Sequence, residues 1–218
     1  MSVQLILFDL DGTLVDTSRD ITNALNYALS PYGLDGISVD ATIKIIGEGL
    51  TRLIEKVLGD ERYHLKNAVS TRFLDYYSAH LIDNSKIYPY VRETLDKLAG
   101  YRKAVISNKR ENLSVNLLKQ LDLDRHFDLI VGSDTTPERK PSAGPLLFVF
   151  SKLQISSQEA LMVGDSQYDI EAGHNAGTRT VAVTYGYQER RLLTAADYLI
   201  DSFGDLPRIL DIASSKFI

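Results

Sequence analysis

The chain has 218 residues, enough for one large core or two modest ones, and its 44% apolar and 24% charged content is that of an ordinary globular protein. Acidic side chains outnumber basic ones by 29 to 24, for a net charge of −5, and no Lys/Arg cluster occurs; this argues against a nucleic-acid partner and for a small-molecule one. Zero Cys excludes disulfides, zinc-thiolate sites and thiol chemistry. No apolar run reaches the roughly 18 residues of a membrane span and no basic segment or cleavage site precedes Leu5, so a cytoplasmic protein that engages no membrane is expected; a monomer or homodimer is the expected assembly.

In chain order, the first element is the apolar run Leu5 to Phe8, read as a strand. From about Thr17 to Ser85 strand signals vanish. There Ile21, Leu25 and Leu29 repeat at helical spacing, as do Leu50, Ile54 and Leu58, and then Leu65, Val69, Phe73 and Tyr77. Beyond Ser85, short apolar runs return at Ala104–Ile106, Leu129–Val131, Ala160–Val163, Val181–Val183 and Tyr198–Ile200. Helical stretches beginning near Pro89, Glu111, Ser142, Gln167 and Asp205 separate them. Strands without polar alternation suit a parallel sheet buried on both faces. The expected fold is α/β: a Rossmann-like parallel sheet core covered by helices (1–16 and 86–218), with a helical cap domain (17–85) inserted after the first strand, over the sheet edge where that strand ends.

The first strand leads into Asp9-Leu10-Asp11-Gly12-Thr13. Residues i and i+2 of an extended segment share a face, which places the Asp9 and Asp11 carboxylates roughly 6–7 Å apart. Two like charges that close call for a bound cation or a shared proton. Alone, the pattern reads more readily as a polar Asp-Gly turn, because such turns are common. Further along, Ser107-Asn108-Lys109 follows a strand and opens a helix, a natural anion site, although both small residues also suit helix caps. Lys140 stands before Pro141. After Val163 comes Gly164-Asp165-Ser166-Gln167-Tyr168-Asp169, in which Ser166 and Asp169 form a capping-box pattern that explains Asp169 but not Asp165. In a parallel sheet all these residues fall at the carboxyl edge, where α/β folds bind ligands. Oxygen-only ligation suits magnesium and a nearby lysine suits a phosphate oxygen, so the expected site is one for phosphoryl transfer.

The order Asp-x-Asp-Gly-Thr, Ser-Asn, Lys-Pro and Gly-Asp-Ser-x-x-Asp resembles the four signature motifs of the haloacid dehalogenase superfamily over essentially the whole chain. A helical insert directly after the first motif, and the loop Ile45-Ile46-Gly47-Glu48-Gly49-Leu50, resemble its phosphoglycolate phosphatase branch. Two departures stand out: Ala143 replaces the second proline of a Lys-Pro-x-Pro pattern, and Tyr90 replaces the glycine of Tyr-Pro-Gly.

The resemblance implies that Asp9 is the nucleophile, forming an aspartyl-phosphate, and that Asp11 is the acid and base. It further implies a Mg2+ site at Asp9, Asp165 and the Asp11 backbone carbonyl, oriented by Asp169, with Thr13, Ser107, Asn108 and Lys140 holding the phosphoryl oxygens. Asp16 reads as a helix cap, and His64, His80, His126 and His174 as packing or surface residues. Within the insert, Gly47, Glu48 and Gly49 are expected to contact the leaving group and Arg52 to balance an anionic one, against the blander reading of a helix joint and a solvated charge. The carboxylate at Asp11 favours phosphate transfer to water over dehalogenation. A sugar-phosphate mutase of the β-phosphoglucomutase kind, a pyrophosphatase or nucleotidase, and a non-catalytic binding protein on this fold are the alternatives. The expected substrate is a small phosphorylated metabolite.

Overall fold

A computed structural model describes residues 2–215. It opens on β1 (Leu5–Phe8), fully buried. A two-residue strand, β2 (Val15–Asp16), leads into α1 (Ser18–Leu29), α2 (Val39–Ile43), α3 (Leu50–Leu58) and α4 (Lys66–Ala79). Then β3 (Lys86–Ile87) pairs antiparallel with β2 and closes the helical excursion. The rest alternates: α5 (Val91–Lys97), β4 (Arg102–Ile106), α6 (Glu111–Gln120), β5 (Leu129–Val131), α7 (Gly144–Leu153), β6 (Ala160–Gly164), α8 (Gln167–Ala176), β7 (Arg179–Val183), β8 (Tyr198–Ile200) and α9 (Leu206–Ser215).

All six apolar runs of the sequence lie in one parallel sheet of order β5-β4-β1-β6-β7-β8. Side chains alternate across a strand. Accordingly Ile6 and Phe8 join one core with Val105, Val163 and Phe203, while Leu5 and Leu7 join the other with Ile106, Met162 and Val149. Burial on both faces is why these strands lack polar alternation. The sheet reaches two residues further than the apolar runs at β4 and β7. Lys103 shows how a charged residue enters: its ammonium donates two of its three hydrogens to the carbonyls of Leu98 (2.7 Å) and Tyr101 (2.9 Å). Helices α5 and α7 begin two residues later than expected. The chain takes a left-handed turn at Tyr90 (φ 66°) before α5, and Pro145 occupies the first turn of α7, where a missing N–H costs nothing. Helix α2, five residues long, escaped the sequence reading because it is too short to show a period.

Between β1 and β3 the helices share one core, in which Ile21, Leu25, Ile54, Val69, Phe73 and Tyr77 are buried together. A carboxylate anchors this segment. Asp20, buried in α1, accepts hydrogen bonds from the Asn84 amide (2.9 Å) and side chain (2.8 Å) and from the Ser85 amide and hydroxyl (both 2.7 Å). A buried charge is tolerable only when hydrogen-bonded in this way. Nearby, Asp16 caps α1 by accepting from the Ser18 amide (3.1 Å) and hydroxyl (2.7 Å).

Replacing Asp20 by Ala strands several buried donors, so Asp20→Ala is expected to cost about 3 kcal/mol or more, read as a drop in the urea midpoint at unchanged slope. A midpoint within experimental error of wild type would show that Asp20 anchors nothing.

Candidate active site

Position follows from the sheet. Because β1 lies between β4 and β6 in parallel register, the residues just past their carboxyl ends, Asp9, Ser107 and Asp165, converge at one edge. Lys140, brought in by the loop before α7, is buried among them. Its ammonium donates to Asp9 Oδ1 (2.7 Å), Asp169 Oδ1 (2.6 Å) and the Ile106 carbonyl (2.7 Å), which uses all three of its hydrogens. The other oxygen of Asp169 accepts from the Ser166 amide (3.0 Å) and hydroxyl (2.6 Å) as the capping box at the start of α8. Asp165 accepts from the Tyr187 amide (2.6 Å) and, more distantly, from the Thr13 hydroxyl (3.3 Å). Asp9 Oδ2 receives no hydrogen bond from any described residue.

Asp9, Asp165 and Asp169 are buried, and each offers an oxygen within 4.8 Å of the others. Burial pushes the Asp9 carboxyl up to about 7; Lys140 opposes the rise, and Asp169 and Asp11 add to it. Burial, then Asp9 and Asp169, drive Asp165 well above the carboxylate range. For Lys140, burial pulls the ammonium down, but Asp169 and Asp9 outweigh it and the net direction is up. Three carboxylates facing one ammonium form an all-oxygen set short of positive charge, a donor chemistry that fits a hard divalent cation.

Asp11 stands apart from this trio. Its Oδ1 accepts from Lys109 (2.5 Å) and from the Thr17 hydroxyl (2.5 Å), so its carboxylate is not one of the clustered metal donors. Lys109 also donates to the Tyr77 hydroxyl (2.8 Å) of α4, with its ammonium 5.0 Å from the ring centre. Burial lowers the Lys109 ammonium, but Asp11 and Tyr77 prevail and raise it.

A cavity of about 420 Å3 opens between the strand ends and the helical segment. Asp9, Asp11, Ser107, Asn108, Lys140 and Asp165 line one side, and Leu50, Leu53, Phe73, Leu74 and Tyr77 line the other. Several residues are placed differently from the sequence reading. Thr13 is fully buried with its hydroxyl turned to Asp165, away from the cavity wall. The Asn108 amide hydrogens are taken by the carbonyls of Gly47 (2.8 Å) and Lys140 (3.0 Å), so this side chain ties the core to the insert loop. Ser107 lines the cavity, and its hydroxyl accepts from the Lys109 amide (3.1 Å). Gly47 and Gly49 line it too, in left-handed conformations (φ 119° and 83°), and a Cβ on Gly49 would stand 2.9 Å from the Asn108 carbonyl oxygen. Glu48 and Arg52 do not line it. Glu48 pairs with Lys56, and Arg52 pairs with Glu55 (3.0 Å) on the exposed side of α3, because the helix that turns Leu50 and Leu53 inward turns position 52 outward.

Lys109, Tyr77, Tyr187 and Arg139 also line the site, and no motif assigned them a role. Their partners lie far away along the chain, and only the Lys109 and Arg139 positions beside recognised motifs hinted at them. Tyr187 carries two duties: besides its amide bond to Asp165, its hydroxyl accepts from the Thr17 amide (2.8 Å) and donates to Asp16 (3.1 Å).

Residues 6–183 match the family model of haloacid dehalogenase-like hydrolases, and the chain belongs to this family. Within it, the chain is similar to the phosphoglycolate phosphatase of Aquifex aeolicus (38% identical over 216 residues, 96% of this chain and 97% of the relative). It is likewise similar to that of Chromobacterium violaceum (39% identical, covering 94% and 95%). A crystal structure of a predicted phosphoglycolate phosphatase from Haemophilus somnus superposes with a TM-score of 0.87 at 32% identity, covering 96% of this chain and 98% of that one. The protein is a phosphatase that hydrolyses phosphate monoesters.

A divalent cation in large excess over its dissociation constant should raise the melting temperature by several degrees, since about 100-fold excess contributes roughly 2.7 kcal/mol. Asp165→Asn should abolish most of that shift while melting at or above wild type in chelator, because one buried charge is gone. A full cation shift in this variant would remove Asp165 from the donor set.

Proposed function

We propose that this protein is a magnesium-dependent phosphoglycolate phosphatase working through an aspartyl-phosphate on Asp9. The observation that carries the mechanism is the state of Asp9: one oxygen is fixed by Lys140 and the other is unengaged at the cavity wall. The names of the similar proteins from Aquifex aeolicus and Chromobacterium violaceum support the substrate.

In the first step the free Asp9 oxygen attacks phosphorus, an O–P bond forms, and the ester P–O bond breaks. Asp11 gives its proton to the departing alkoxide. In the second step water attacks phosphorus, Asp11 takes the water proton, and the Asp9–phosphorus bond breaks to release phosphate. Lys109 and Thr17 hold Asp11 by a single oxygen, which leaves Oδ2 without a partner among the described residues and open for proton transfer. Lys140 keeps Asp9 from turning and lends positive charge to the phosphoryl group, and the Ser107 hydroxyl is a donor on the same wall. Asp9 and Asp165, with Asp169 behind them, would hold the magnesium, which when bound would supply positive charge beside the phosphoryl oxygens. Residues 17–85 act as a cap over the core of 1–16 and 86–218, excluding water while the ester is bound.

Phosphate release measured over phosphoglycolate, sugar phosphates, nucleotides and pyrophosphate tests the substrate, with phosphoglycolate expected to show the highest kcat/KM. A different winner in that panel replaces the assignment. Asp9→Asn should reduce turnover to background, and Asp11→Asn should reduce it by about 100- to 10,000-fold on alkyl esters, both with the fold intact by melting. Chelator should abolish activity and magnesium restore it. Calcium should support it poorly, because its longer bonds and higher coordination number would allow both Asp9 oxygens to be engaged, leaving none to attack. Full turnover in chelator would end the metal-dependent reading.

A further inference from the structure

Five basic side chains line the cavity: Lys66, Lys109, Arg110, Arg139 and Lys140. Three of them are occupied. Lys140 holds Asp9 and Asp169, Lys109 holds Asp11 and Tyr77, and Lys66 pairs with Glu55 (2.6 Å) and Tyr63 (3.2 Å). The guanidinium groups of Arg110 and Arg139 make no hydrogen bond or ion pair with any described residue. Arg110 is exposed to solvent. Arg139 is only partly exposed, with a Cβ on Gly49 placed to meet its Nη1 at 3.6 Å, so the insert loop lies against it. Asp134, a carboxylate that also lines the cavity, accepts from the Glu111 amide (2.8 Å) and forms no ion pair with Arg139. Arg139 is a partly desolvated cation with no carboxylate in ion-pair contact among the described residues. It neighbours the lysine that holds the nucleophile and contacts the loop that closes the cavity's other side.

Leaving such a group unpaired is unfavourable, and a guanidinium is shaped to receive both oxygens of a carboxylate. We infer that Arg139 reads the leaving group: it receives a carboxylate carried by the alcohol half of the ester, at the seam between the phosphoryl-binding edge and the Gly47–Gly49 loop. The inference rests on the reading of Asp9 as phosphoryl acceptor and assigns the specificity of that same site. Glycine at position 49 is required by its left-handed backbone (φ 83°) and by the Asn108 carbonyl oxygen, 2.9 Å from where a Cβ would stand, and it lets the loop come within ordinary contact of the guanidinium. Arg52, weighed for this duty against a solvated surface charge, pairs with Glu55 outside the cavity.

The test compares two esters of equal length on the full chain with magnesium: phosphoglycolate and 2-hydroxyethyl phosphate, in which CH2OH replaces the carboxylate. A charge-assisted bidentate contact predicts a wild-type preference for phosphoglycolate of about 10- to 100-fold in kcat/KM. Arg139→Gln should fall at least about tenfold further on phosphoglycolate than on the neutral ester, mainly through KM, with Arg139→Lys recovering part of the difference. Arg110→Gln, at the exposed rim, should lose much less discrimination. Equal losses on both esters in Arg139→Gln would make the residue a support of the phosphoryl site or the fold, and overturn the inference. An Arg110→Gln effect as large as that of Arg139→Gln would overturn it in favour of a diffuse positive field. A wild type that hydrolyses phosphoglycolate but keeps its preference in Arg139→Gln removes the assignment alone, whereas a wild type with no preference removes the phosphoglycolate reading and the assignment with it.

Discussion

Three buried carboxylates around one ammonium are the constraint on which the rest of this molecule is arranged. Asp9, Asp165 and Asp169 repel one another in a poorly solvated setting, and Lys140 offsets only part of that repulsion. The fold holds them together by spending backbone instead of side chain around them. A Cβ at Gly12 would stand 2.3 Å from an Asp165 oxygen, one at Gly164 would stand 2.2 Å from Asp169 Cγ, and one at Gly186 would stand 2.2 Å from Asp165 Cβ. Three separate stretches of chain thus need glycine for the same reason: they pass the carboxylates too closely for any other residue.

The same cluster explains the polarity of the surrounding hydrogen bonds. Asp169 has both oxygens satisfied, by the capping box and by Lys140, and so works as a fixed counter-charge that orients the lysine. Asp9 is satisfied on one oxygen only. One residue is locked and its neighbour is half free, which is the arrangement expected when one carboxylate positions and the other reacts.

Between the core and the helical insert, contacts concentrate on the chemistry. The Lys109 ammonium bridges Asp11 and Tyr77 of α4, Asn108 reaches the Gly47 carbonyl, and Tyr187 takes the Thr17 amide where α1 begins. Each link starts in a loop that follows a strand of the sheet and ends on the insert or its joint. A shift of the insert relative to the sheet edge therefore acts directly on the residues around Asp11. This follows from topology: an insert placed straight after β1 has its joint only a few residues from Asp9.

The sequence by itself determined the sheet, because strands buried on both faces must be continuously apolar. All six runs, from Leu5–Phe8 to Tyr198–Ile200, lie in it. It also determined which residues meet at the carboxyl edge, since parallel strands bring Asp9, Ser107 and Asp165 together whatever the loops do. The helical stretch after β1 was legible from its 3.6-residue period, whereas α2 was too short to carry one. What only the tertiary structure decided was the partner of each polar group. Nothing local to Thr13 says that its hydroxyl turns to Asp165, nothing near Asn108 says that its amide is taken by Gly47, and the spacing of α3 does not reveal whether Arg52 or a residue 87 positions away faces the cavity. Periodicity fixes which side of an element is buried. Hydrogen-bond partners and unpaired charges depend on which elements then approach, and those approaches are set by contacts between residues far apart in the chain.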